Sequence, residues 1–117
     1  MLPTKSGSVS AGIENQSKNT IIYTATDDCF LYVKVFMSST SAAFGIELYK
    51  NTYAGSTTPT IGNNTIDKYW VSTSESVVIS VGGLVQLSKG DTIGIIANTA
   101  TYSAPYNYRA NMFKIGK

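Results

Sequence analysis

The chain contains no histidine and a single cysteine among its 117 residues. Without histidine there is no Ser-His-Asp or Cys-His catalytic set, and the commonest metal ligand is missing. One cysteine, Cys29, allows neither an internal disulfide nor a thiolate metal cluster. It opens an apolar stretch, Cys29-Phe30-Leu31, and reads as a small buried hydrophobe. Charge is also scarce. Charged residues make up 14% of the chain, against roughly 25% in an ordinary globular domain. The net charge is +2, and the nine Lys and Arg are scattered rather than clustered. That is not the footprint of a phosphate-binding protein, so no nucleic-acid partner is expected. No apolar run approaches the roughly 18 residues of a membrane span, and Met1-Leu2-Pro3-Thr4 does not resemble a signal peptide, so membrane insertion is not expected.

What the chain has in quantity is Ser and Thr, fourteen of each, and hydrophobic residues at 43%. A hydroxyl-rich surface over an apolar interior suits exposed strands, because Thr has good β propensity. In Leu84–Ala97 two runs with a side-chain period of two flank Ser88-Lys89-Gly90-Asp91. Val85 and Leu87 share one face of the first run, and Ile93, Ile95 and Ala97 one face of the second. Gly90 supplies the positive φ of a tight turn, so this segment is a hairpin or corner.

The strongest strand runs from Cys29 to Met37. One face holds Cys29, Leu31, Val33, Val35 and Met37, and the other Phe30, Tyr32, Lys34 and Phe36. A sandwich strand should have a polar outer face. Three large aromatics there predict a covered face, and Phe30, Tyr32 and Phe36 are the candidate subunit interface. Further strands are expected at 20–24, 44–49, 66–71, 76–81 (ending at Gly82-Gly83) and 112–115. Residues 51–65 and 98–108 read as long loops. Residues 1–20 read as an arm or linker with one possible short strand, anchored by Val9 or Ile13, and 21–117 as the folded domain. Seven to nine short strands joined by long returns predict an all-β antiparallel sandwich of jelly-roll type.

No residue set points to catalysis, so no enzyme activity and no cofactor are expected. Asp27-Asp28 is the nearest approach to a calcium ligand pair. No further acid lies close in sequence, and the pair reads as a turn with no metal. The aromatics are the remaining asset. Tyr69, Trp70, Tyr102, Tyr106 and Tyr108 stand beside Asn, Thr and Ser, a combination that suits stacking on sugar rings with hydrogen bonds to hydroxyls. The same side chains equally suit a core or a subunit contact. Both readings remain open from the sequence.

The order of motifs resembles a family. Ile22-Tyr23-Thr24-Ala25-Thr26-Asp27-Asp28-Cys29-Phe30-Leu31 is similar to the opening strand and turn of phage fibre-tip and receptor-binding domains. Phe44-Gly45-Ile46-Glu47-Leu48-Tyr49-Lys50-Asn51 resembles their next strand. Leu87-Ser88-Lys89-Gly90-Asp91-Thr92-Ile93 and Ala110-Asn111-Met112-Phe113-Lys114-Ile115-Gly116 resemble their late corner and closing strand. The globular heads of the complement first component and of the tumour necrosis factor family share that late corner and final aromatic strand. Thr26 and Cys29 depart from the family's Pro and Gly. The resemblance implies a homotrimeric jelly roll in a virion, joined to an upstream fibre or virion protein and binding a host surface receptor without catalysis; the aromatics above make a surface glycan the expected receptor. The alternatives are a stand-alone carbohydrate-binding module and a capsid or fibre protein with no ligand.

Overall fold

The structure, a computed structural model, describes residues 5–11, 19–39, 44–51, 64–71, 77–99 and 104–115. They form eight strands: β1 (Lys5–Ala11), β2 (Asn19–Thr24), β3 (Cys29–Ser39), β4 (Phe44–Lys50), β5 (Thr65–Val71), β6 (Val77–Leu87), β7 (Thr92–Thr99) and β8 (Ala104–Ile115). Two antiparallel four-stranded sheets result. The first has the order β1-β8-β3-β6 and the second β2-β7-β4-β5. Apart from β4 and β5, each strand is followed by one in the opposite sheet. This eight-strand alternation is the jelly-roll form of the β-sandwich, as the sequence predicts.

Period-two patterning selects the core. Leu31, Val33, Val35 and Met37 of β3 meet Ile46 and Leu48 of β4 and Ile93, Ile95 and Ala97 of β7 between the sheets. Val85 and Leu87 of β6 and Ala110 and Met112 of β8 complete the layer. Cys29 is buried with them. Val9 of β1 is 1% exposed and lies opposite Tyr106 of β8. Part of the expected arm is therefore a strand of the first sheet. Ile13 lies outside the described residues.

Two strand boundaries differ from the sequence reading. β6 does not end at Gly82-Gly83 but runs through the pair to Leu87, in continuous register with β3. Part of the expected loop at 98–108 is strand: β7 extends to Thr99 and β8 begins at Ala104. β8 gains its partners from β1 and β3, tertiary pairing that overrides the local Pro, Asn and Ser signals.

The Ser88–Asp91 segment joins β6 to β7 across the two sheets, so it is a corner rather than a hairpin. Gly90 has φ +94°. The Asp91 carboxylate accepts the Ser88 amide at 2.8 Å and the Asn51 side-chain amide at 3.2 Å, and Lys50 stands 3.5 Å away. Asn51, itself at φ 64°, accepts the Thr92 amide on its Oδ1 at 2.8 Å. Asp27 pairs with Lys114 at 2.8 Å, and Asp28 accepts the Lys89 amide at 2.9 Å. The neighbouring carboxylates of that turn thus serve separate partners.

The Ser88 amide, then Asn51 and Lys50, hold the Asp91 carboxyl below the usual carboxylate range. A carboxyl lowered in the folded state contributes stability that is complete above its unfolded pKa of about 3.9 and is lost as pH falls through the folded value. The difference in Tm between the wild type and Asp91→Asn is therefore expected to be largest near neutrality and to shrink below about pH 4. A difference that stays constant with pH would refute this role.

Candidate interaction surface

The outer face of the first sheet follows from register. Across β3 and β8, Phe30 stands opposite Ile115 and Tyr32 opposite Phe113. Across β3 and β6, Tyr32 stands opposite Leu84. These five side chains occupy adjacent rows at one end of the sheet. Leu84 is 60% exposed and the other four are 43 to 45% exposed. Burying the exposed half of five such groups is worth on the order of 5 kcal/mol per protomer before association costs. Phe36, also exposed, lies beyond Lys34 at the other end of β3, beside Arg109. Phe113 and Ile115 were not singled out from sequence. Their parity with Asn111 and Arg109 along β8 is the signal that finds them.

The second sheet is different. Gly45, Glu47 and Tyr49 alternate with the core residues Ile46 and Leu48, so they lie on the outer face. Yet Glu47, Tyr49 and Ile96 on that face are buried within the chain. Trp70 sits over Gly45 and the Tyr49 ring over Gly94, where an added methyl would come within 2.3 and 2.4 Å of the rings. Between them Glu47 Oε1 meets Lys68 Nζ at 3.1 Å, with the two side chains 0% and 7% exposed. The Thr65 hydroxyl donates to Glu47 Oε2. Burial raises the Tyr49 phenol pKa, and the nearby Glu47 carboxylate raises it further. The sequence reading missed this cluster, because Glu47 and Lys68 are brought together only by β4–β5 register.

Among the described side chains, the expected sugar-binding aromatics Tyr69, Trp70 and Tyr108 do not share one face. Tyr69 and Trp70 are consecutive in β5 and point to opposite faces, Tyr69 opposite Ile46 in register and Trp70 opposite Gly45. Tyr69 is 51% exposed, whereas Trp70 is half-buried. Tyr108 is 6% exposed and belongs to the core cluster, lying against Gly7, so the expectation of a loop position for it is corrected. Burial also raises its phenol pKa. The backbone of Tyr106 lies in β8 opposite Val9, also in a strand rather than a loop. Tyr102 and Tyr53 lie outside the described residues.

Among the described residues, no group of three His, Cys, Asp or Glu side chains could hold a metal ion, and no helix is long and apolar enough to cross a membrane. The chain matches no family model and no curated protein. Two solved structures are similar to it at low identity. One comes from Bacillus endospore appendages, described as a family of disulfide-linked pili; it is 12% identical over 97% of this chain and 88% of that chain, with TM-score 0.43. Another is the globular domain of a zebrafish complement 1qA protein, 16% identical over 91% of this chain and 95% of that chain, with TM-score 0.47. The chain's own strand order makes it an all-β protein of two antiparallel sheets packed as a sandwich.

Proposed function

We propose that this chain is a non-enzymatic assembly module, a homotrimer that forms the tip of a phage fibre or decorates it and recognises a host surface glycan. The observation that carries the assembly is the bare apolar end of the first sheet, Phe30, Tyr32, Leu84, Phe113 and Ile115. Glu47, Tyr49 and Ile96 on the outer face of the second sheet are buried within the chain, whereas the first sheet leaves five adjacent apolar side chains bare, so the first sheet is where a partner copy is needed. Contiguous exposed apolar side chains of this kind mark an interaction site. The order of the fibre-tip motifs from Ile22 to Gly116 supports three copies rather than two, and supports the fibre and a surface receptor; the aromatics beside Asn, Thr and Ser support a glycan as that receptor.

The solution mass tests the assembly. Light scattering at micromolar concentration is expected to give three times the 12.5-kDa chain mass. The double variant Tyr32→Glu, Leu84→Glu places charge in the patch and is expected to run as a folded monomer. A wild-type monomer sinks the assembly reading, and a wild-type dimer sinks the threefold arrangement.

A further inference from the structure

At the other end of the same outer face lies a groove of about 240 Å³ lined by Phe36, Ser38, Val78, Asn107, Arg109 and, from beneath, Met37 and Tyr108. It starts at Phe36, four residues along β3 from Tyr32, about 13 Å from the near edge of the apolar patch at the usual strand rise. Register builds it. Phe36 stands opposite Arg109 and Ser38 opposite Asn107 across β3 and β8, and Ser38 stands opposite Val78 across β3 and β6. These five side chains are all exposed.

The lining combines one guanidinium, one carboxamide and one hydroxyl with a phenyl ring and an isopropyl group. Arg109 is always charged. The ion pairs among the described residues engage Lys50, Lys68 and Lys114, and none engages Arg109. No position on the outer face of the first sheet holds an Asp or Glu, and Lys34 adds a second cation diagonal to Arg109. The groove is therefore a cationic site with one aromatic wall, and every described acid is engaged elsewhere in the fold.

We infer that this groove binds one ring of an acidic saccharide, a sugar carrying a carboxylate. The carboxylate takes the guanidinium fork of Arg109 in a bidentate pair. Ring hydroxyls meet the Asn107 amide and the Ser38 hydroxyl, and the C–H face of the ring lies on Phe36. An inorganic oxyanion would leave the Phe36 wall unused, and a neutral sugar would leave Arg109 unpaired. The volume lies below the roughly 300–1,000 Å³ of pockets for drug-sized ligands, so one ring is the unit that the groove itself contacts. The inference rests on the proposed function only in taking the ligand to be a saccharide, and it does not require the trimer.

The test is a titration of the full ¹⁵N-labelled chain with methyl glucuronide, methyl glucoside and sodium acetate, read by amide chemical shifts. Glucuronide is expected to shift residues 36–38, 78 and 107–109 and to saturate in the millimolar range, roughly 1–10 mM. Glucoside and acetate are expected to bind about tenfold more weakly or worse, since each lacks half of the contacts. Arg109→Gln and Asn107→Ala, both on the exposed face, are expected to weaken glucuronide about tenfold and severalfold respectively with unchanged melting curves. Equal binding of acetate or of glucoside overturns the inference, as does glucuronide binding that neither variant alters. Glucuronide shifts confined to other residues overturn this site and leave the saccharide reading standing; no response to either sugar at these residues, with host-cell adsorption intact, does the same.

Discussion

Glu47→Ala is expected to lower the unfolding free energy by about 3–5 kcal/mol, the cost of leaving a buried charge without its partner. The Lys68 side chain, 7% exposed in the pair, would lose the Glu47 carboxylate, and the Thr65 hydroxyl would lose Glu47 Oε2 as an acceptor. For a chain of this size the Tm should fall by at least about 10 °C. Lys68→Met should do comparable damage by stranding the carboxylate. The double variant Glu47→Met, Lys68→Met removes both charges and keeps apolar volume, so it is expected to recover most or all of the loss, because well-packed apolar replacements of buried ion pairs are often neutral or stabilising. The single tryptophan, Trp70, sits over Gly45 beside the pair, so its fluorescence can follow the unfolding of this face directly. Should Glu47→Ala melt within about 2 °C of the wild type, Lys68 is relieved by water and the pair is not a buried one.

This pair also marks the limit of what the sequence could reveal. Glu47 in an apolar strand is visible as an oddity, but its partner lies 21 residues on, and a single sequence carries no sign of which charges meet. Period-two patterning, by contrast, is a local property. It gave both faces of β3 and the core residues around the Ser88–Asp91 corner, since burial there follows strand parity alone. The same parity applied to β8 would have placed Phe113 and Ile115 together on one exposed face. It would also have set Tyr108 apart from them, on the face of Ala110 and Met112. Reading residues 98–108 as a loop obscured this. Tyrosine beside Pro, Asn and Ser looks like a ligand loop when the strand pairing that orders it comes from β1 and β3, distant in sequence. Composition told apart neither Tyr69, which is exposed, nor Trp70, which is set against Gly45.

The glycine pair in β6 supplied the other misreading, and Gly82→Ala tests its correction. Glycine in a strand usually signals an end or a bulge because it has no side chain to pack. Here an added Cβ at Gly82 would stand 2.6 Å from the Val33 carbonyl oxygen and 3.0 Å from Lys34 Cδ. The nearer obstacle is backbone in β3, a strand held on both sides by β6 and β8, so neither partner yields cheaply. The Gly82 amide also donates at 2.9 Å to Asp67 Oδ2, tying β6 to β5 of the opposite sheet. Gly82→Ala is therefore expected to cost about 1–3 kcal/mol or more through overpacking, with the Asp67 contact displaced in the same step. Gly83→Ala is the control: its nearest neighbour is the Ile66 side-chain methyl at 3.0 Å, which can turn aside, so the loss should be smaller. Asp67→Ala separates the two contributions. It keeps Gly82 but leaves that amide and the Lys68 amide without their acceptor, for an expected loss of about 1–3 kcal/mol. Urea denaturation of the three variants decides between a continuous and a broken β6. If Gly82→Ala stays within about 0.5 kcal/mol of the wild type, as an ordinary surface change would, β6 does not pass Val33 at this distance. In that case the strand does end at the glycine pair, and Leu84 leaves the apolar patch on which the proposed assembly rests.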